Sequence, residues 1–207
     1  MKKHSVTICI ICIFLSLCIF SVILISLLSP KPKMFSNEQE AFEYFHACFD
    51  EINHKYDVTF EPYLEEQACL WGDITLDNGE TLSLVFGCFE DGADVSFSIF
   101  LCSRGYPTYE EVDFDLESYS DVYDMGAYLC DNIFSASKIK KGIEETKARV
   151  SSRITADSVD LVIRETIWLK PLFSPPKNWG SASYEVYQDE GKWYACIEIS
   201  SDLYCKG

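Results

Sequence analysis

The sequence predicts an α+β domain behind an N-terminal transmembrane helix, and three observations carry that expectation. Residues 6–29 contain no charged side chain. Ala68–Leu76, Thr81–Glu90 and Val95–Arg104 read as strands of alternating apolar and polar residues, separated by turn signals. Apolar residues at three- and four-residue steps precede them, and a second helical pattern followed by three strand-like runs comes after residue 120. The resulting order, helix, three strands, helices, three strands, suits helices packed on one face of an antiparallel sheet.

As a helix, Val6–Ser29 would be roughly 36 Å long, enough to cross a hydrocarbon layer of about 30 Å with some tilt. Ser16, Ser21, Ser26 and Ser29 can return their hydroxyls to the helix backbone, so no polar group is stranded in lipid. A cleaved signal peptide has a shorter apolar run and a small-x-small cleavage site, whereas here Pro30 follows Ser29 directly. Leu17 before Cys18 is not the small residue that a lipoprotein site requires. The stretch therefore reads as an uncleaved membrane anchor. Lys2 and Lys3 on one side balance Lys31 and Lys33 on the other; the terminal amine and His4 tip the orientation to N-terminus inside, with the C-terminal domain outside. Residues 1–5 then form a short tail, 30–35 a spacer stiffened by Pro30 and Pro32, and 36–207 a single extracytoplasmic domain at the cell membrane.

All 33 acidic residues lie beyond the anchor, while four of the 17 basic ones flank it. Such a balance excludes nucleic acid and anionic lipid head groups as natural partners, and suits cations, basic peptides or plain solubility. Seven cysteines also lie beyond the anchor: Cys48, Cys69, Cys88, Cys102, Cys130, Cys196 and Cys205. An odd number cannot all pair within one chain.

Ser36 and Gln39 form a capping-box pattern, so a helix is expected from there to Asp57. Ala41, Phe42, Phe45, Cys48, Phe49, Ile52 and Tyr56 make its apolar face. Glu43, His46, Asp50 and His54 share the opposite stripe and are candidate metal ligands, although any amphipathic helix keeps its solvated charges there. In the first meander a bare two-residue turn would set Leu76 against Thr81. A three-residue loop, Asp77 to Gly79 with Gly79 left-handed, instead sets Leu70 opposite Phe86 and Ile74 opposite Leu82. A two-residue Asp91–Gly92 loop then aligns Cys88 with Val95, Phe86 with Phe97, Leu84 with Ile99 and Leu82 with Leu101. In this register no two of Cys69, Cys88 and Cys102 can bridge, and Cys48 and Cys88 read as core residues.

The reverse face of the meander carries Asp73, Thr75, Thr81, Ser83, Gly87, Ser96 and Ser98, interrupted by Trp71, Val85 and Phe100. It is a recognition surface unless the second half of the chain covers it. Glu111, Asp113, Asp115 and Glu117 alternate with Val112, Phe114 and Leu116, the pattern of an edge strand. Asp113, Asp115, Glu117, Tyr119, Asp121 and Asp124 also fall on calcium-loop spacing, but Ser118 replaces the turn glycine and Asp124 is shorter than the usual glutamate. Ser120 is positioned to cap the next helical run, Val122 to Ile154, which passes through Ile133 and is expected to break at Ser135–Ser137. Its Lys138, Lys140, Lys141, Lys147, Arg149 and Arg153 read as a solvated face neutralising nearby acids, against a docking face for an acidic partner. Val159–Leu169, Ala182–Tyr187 and Lys192–Ser200 are the last strands, with a hairpin at 188–191.

No nucleophile elbow, zinc-protease helix, phosphate loop or dinucleotide fingerprint occurs in the chain. The sequence therefore favours a non-catalytic binding module for a protein, peptide or small ligand, without a cofactor, contacting it through Trp71, Phe100, Phe173 and Trp179. A hydrolase working through a carboxylate pair and an acidic cation-binding domain are the alternatives; a deep cleft between two carboxylates would favour the hydrolase.

Overall fold

Cap chemistry decides where the first helix begins. In the computed structural model, which describes residues 13–21, 35–65, 69–89, 94–112, 114–130, 134–154, 162–169 and 180–205, helix α1 spans Glu38–Tyr56. Its N-cap is Asn37, whose side chain accepts the Glu40 amide at 3.0 Å, while the Glu40 carboxylate accepts the Ser36 amide at 2.7 Å. The reciprocal pair is thus displaced by one residue from the Ser36–Gln39 box, because Asn caps as well as Ser and the ionised Glu40 is the stronger acceptor. Asp57 ends the helix in the left-handed region at φ 52°. Asn53 then holds the returning chain with two bonds, donating to the Phe60 carbonyl at 2.9 Å and accepting the Phe60 amide at 2.8 Å.

Seven strands follow in two groups: β1 (Tyr63–Glu65), β2 (Cys69–Thr75), β3 (Thr81–Phe89) and β4 (Asp94–Cys102), then β5 (Ile163–Leu169), β6 (Gly180–Asp189) and β7 (Lys192–Cys205). Between the groups lie α2 (Ser120–Leu129) and α3 (Ala136–Arg153). The sheet is antiparallel throughout, in the order β1-β2-β3-β4-β7-β6-β5. The registers of β2–β3 and β3–β4 are those that the alternation predicts: Leu70 faces Phe86, Ile74 faces Leu82, and Cys88 faces Val95. Leu76 and Glu80 close the three-residue loop at 2.8 Å, with Gly79 at φ 82°. Glu190 and Gly191, both at positive φ, form the two-residue turn between β6 and β7. Strand β1, only three residues long, adds a fourth member to the first meander that the sequence pattern does not announce.

The second meander extends the sheet instead of covering it. Its last strand pairs with the last strand of the first, so that Ile99 faces Ile199 and Leu101 faces Ile197 at the centre. Helices α1, α2 and α3 share one face. Phe45 stacks on Phe86 at 4.6 Å between ring centroids, and the edge of Phe49 meets Phe86 at 5.4 Å. Gly126 of α2 lies against Ile199, and Gly142 of α3 against Ile167 and Ala182. Leu84, Phe86, Phe97, Ile99, Val186, Ile197 and Ile199 are buried beneath these helices.

The stretch 111–117 is not the edge strand that its alternation predicts; it makes two short 3-10 turns, Tyr109–Glu111 and Leu116–Tyr119. The Asp115 carboxylate accepts the Glu117 amide at 3.0 Å and the Ser118 hydroxyl at 2.7 Å, and this local bonding outcompetes a strand ladder. Phe114 and Leu116 remain buried, so the alternation reports inward and outward positions but not the backbone. Ser120 lies inside α2 and does not cap it, whereas Ser135 caps α3 by accepting the Lys138 amide at 3.3 Å. Buried Glu80 accepts a hydrogen bond from Tyr119, fastening the β2–β3 turn to the segment before α2. Burial, reinforced by that carboxylate, holds the Tyr119 hydroxyl well above the ordinary tyrosine range.

Cys102 and Cys196 form a disulfide across the central β4–β7 seam, with Cα atoms 4.2 Å apart. Cys102 thus finds its partner in the other half of the chain, not in Cys69 or Cys88. Among the described residues no helix is long and apolar enough to cross a membrane. Of the expected 6–29 span, only the helical residues 13–21 are described, and they are exposed. The Asp91–Gly92 turn, Asp113, Ile133 and the start of the strand expected from Val159 also lie outside the described residues.

Two stability predictions follow from this packing. A Cβ at Gly72 would stand 2.6 Å from Cε1 of the fully buried Phe49. Gly72→Ala should therefore cost about 1–3 kcal/mol in chemical denaturation. Replacing Cys102 and Cys196 together by Ser should cost about 2–5 kcal/mol, and reductant should lower the parent's unfolding midpoint by more than the variant's.

Candidate binding face

Side chains alternate across a sheet, so every second residue of the seven strands points away from the helices. Strand register puts these residues in rows. One row crosses the whole sheet, a span of about 29 Å at ~4.8 Å per strand: Tyr63, Trp71, Val85, Ser98, Ser200, Ser181 and Trp168. The next holds Asp73, Ser83, Phe100, Glu198, Ser183 and Thr166. A third runs through Thr75, Thr81, the Cys102–Cys196 disulfide, Glu185 and Arg164. Serines occupy much of the middle of this face, with Ser181 and Ser183 buried and Phe100 among them, while Tyr63, Trp71 and Trp168 stand toward its margins.

Polar groups on this face are held by one another. The Ser181 and Ser200 hydroxyls lie 2.7 Å apart. Arg164 reaches from the terminal strand β5 across β6 to bind Glu198 on β7, and its other guanidinium nitrogen stands 3.9 Å from Glu185. Ser98 and Ser183 each donate to Glu198 at 3.4 Å. Tyr63 donates to Asp73 at 2.7 Å, and the Tyr187 and Tyr194 rings stack at 5.2 Å. Burial, with the nearby Glu185 charge adding to it, pushes the Tyr187 hydroxyl up, so it stays protonated and able to donate at neutral pH. The face therefore combines mutually bonded polar groups with aromatic area.

Trp71 and Phe100 both lie on this face and are half-buried, but two strands and one row separate them. Phe173 and Trp179 lie outside the described residues. Sequence reasoning missed the contribution of β5: Arg164, Thr166 and Trp168 alternate with residues facing the helices, and Trp168 is 60 % exposed. That alternation was available in the sequence; what it lacked was the knowledge that the second meander continues the same face.

The other candidates are dispersed. Glu43, His46, Asp50 and His54 are exposed on the outer side of α1, where Glu43 accepts a hydrogen bond from Gln39. Asp115 caps its own turn, and the Ser118 hydroxyl and Glu117 amide hold its carboxyl below the usual range. Glu117 pairs with Lys140 at 2.5 Å, Asp121 and Asp124 are exposed on α2, and Asp113 is not described. Among the described residues, no three His, Cys, Asp or Glu side chains converge as a metal site. Along α3, Lys140 serves Glu117 and Glu144, Lys141 approaches Glu145 at 4.0 Å, Arg153 binds Glu165, and Lys147 donates to the Phe114 carbonyl. These pairs match the reading of a basic face that neutralises nearby acids. No protein family, curated protein or solved structure matches the chain.

Proposed function

We propose that this chain is a non-catalytic binding module, tethered by residues 6–29 outside the membrane, which captures a protein or peptide across the open face of its sheet. The observation that carries the reading is the one-sided packing among the described residues: α1, α2 and α3 share one face, and the other carries Tyr63, Trp71, Phe100 and Trp168 among polar side chains. Two further features support it. A disulfide persists in oxidising compartments, which agrees with a domain outside the cytoplasm. The uncharged stretch 6–29 has the length and composition of an anchor.

The hydrolase reading requires an acid and a base on opposite sides of a cleft. Glu185 and Glu198, the carboxylates gathered around Arg164, instead share that arginine on a sheet surface. Binding is the better use of such a site, since paired charges hold their groups in fixed positions.

Two measurements test the proposal. Full-length chain displayed in cells with Trp71→Ala, Phe100→Ala and Trp168→Ala together should lose capture of its cross-linked partner by roughly tenfold or more. The melting transition should stay near that of the parent, since all three side chains lie outside the core; undiminished capture would count against the open face. For the tether, protease added to intact cells should remove the domain. A protected domain, or a mature chain beginning after residue 29, would refute the topology.

A further inference from the structure

The row of side chains that contains the disulfide differs on its two sides. From β2 to β5 it runs Thr75, Thr81, Cys102, Cys196, Glu185 and Arg164. Beyond Cys102 stand two short, uncharged and exposed side chains. Beyond Cys196 stand the long side chains of an ion pair, with Glu198 a further carboxylate two residues along β7. Both bonded cysteines are partly exposed, whereas Cys48 and Cys130 are buried. A disulfide is opened by a thiolate that attacks one sulfur and displaces the other, so access to each sulfur decides where attack falls.

We propose that the Cys102–Cys196 bond is a redox switch, opened in the folded domain by a small thiol that attacks Cys102. The incoming thiolate forms a new sulfur–sulfur bond to Cys102 Sγ. The Cys102–Cys196 bond breaks, and its electron pair leaves on Cys196 Sγ, which takes a proton from water. In the return step the Cys196 thiolate attacks Cys102 Sγ and expels the small thiol. Alternatively a second small thiol attacks the first, leaving Cys102 as a thiol; two thiols are then oxidised to one disulfide while the protein's own is reduced. Attack on Cys196 would instead bring a thiolate in from the side of Glu185, against its carboxylate and its length. Thr81, opposite Cys102 on β3, offers neither obstacle.

Opening the bond leaves the strands paired. On the helix side Leu101 faces Ile197 and Ile99 faces Ile199, and all four are buried. Next to the bond the Ser103 amide donates to the Ala195 carbonyl at 2.7 Å, and the Ser103 hydroxyl accepts the Ala195 amide at 2.8 Å. These contacts keep the two opened cysteines opposite each other, so closure needs no search. The switch therefore changes the chemistry at the centre of the face, between Thr81 and Glu185, and not the core. The inference stands on the surroundings of the disulfide and does not depend on what that face binds.

The test uses full-length chain in mild detergent, with reduced glutathione as the thiol. After brief exposure and alkylation of the folded chain, peptide mass mapping should find glutathione on Cys102 and the alkyl group on Cys196 several-fold more often than the reverse. Near-UV circular dichroism should keep its folded signal, and Cys48 and Cys130 should stay unlabelled because they are buried. In samples that are not alkylated, oxidised glutathione should restore the bond. Opening only as the folded signal is lost, or no opening at millimolar glutathione, overturns the switch. Glutathione chiefly on Cys196, or equally on both, overturns the route. Thr81→Glu sets beside Cys102 the kind of carboxylate that flanks Cys196, so opening should slow several-fold while the oxidised variant melts near the parent; an unchanged rate also overturns the route.

Discussion

The pairing of β4 with β7 is the contact on which the rest of the structure depends. Each half of the chain supplies a meander too small to bury its own apolar face, and each places its final strand at the centre. Ile99 against Ile199 and Leu101 against Ile197 join the two apolar faces into one surface. Only then do α1, α2 and α3 have a common floor: Phe45 and Phe49 over Phe86, Gly126 over Ile199, Gly142 over Ala182. The joined strands are far apart in sequence, so chain closure between them carries an entropic cost that the local hairpins do not. The hairpins join strands that are neighbours in sequence; the central pair joins the two halves of the chain.

Central joining also explains why one face stays open. Two meanders meeting face to face would have made a sandwich with both inner faces covered, but meeting edge to edge they make one wide sheet, and among the described residues no second layer packs on its other face. The open face is polar accordingly. Its serines and charges are satisfied by neighbours, as the Ser181–Ser200 contact and the Arg164–Glu198 pair show. Its aromatics include Tyr63 and Trp71 toward one margin, Trp168 at the other, and Phe100 on the central strand β4. Among the described strands, β1 and β5 are the sheet's two terminal members.

What was legible in the sequence is what depends on local periodicity. A period of two fixes which residues share a face, and a one-residue error would expose a whole row, so the pairings of Phe86 with Phe97 and Leu84 with Ile99 could be read from residue order and turn chemistry alone. The split between α2 and α3 near Ser135 was likewise visible, because a serine there can cap. The long-range partners were not visible. Nothing local distinguishes β7 as the neighbour of β4, and so neither the Cys102–Cys196 bond nor the contribution of Trp168 to the candidate face could be assigned. The segment 111–117 failed for another reason: its alternation is real, but Asp115 offers the backbone closer partners than a neighbouring strand would.

The disulfide occupies the position where strand geometry already brings two side chains together. The Ser103 amide bonds to the Ala195 carbonyl at 2.7 Å, so the adjoining Cys102–Cys196 pair falls at a non-hydrogen-bonded site, where antiparallel strands approach most closely. The bond therefore acts mainly on the unfolded chain, closing a loop between residues 94 apart in sequence. In the chain-entropy account a loop of that length is worth about 4–5 kcal/mol. A sheet covered on one side only forgoes the burial that a second layer would add, and a covalent seam at its centre offsets part of that loss. Among the described residues, that face carries polar and aromatic side chains instead of core.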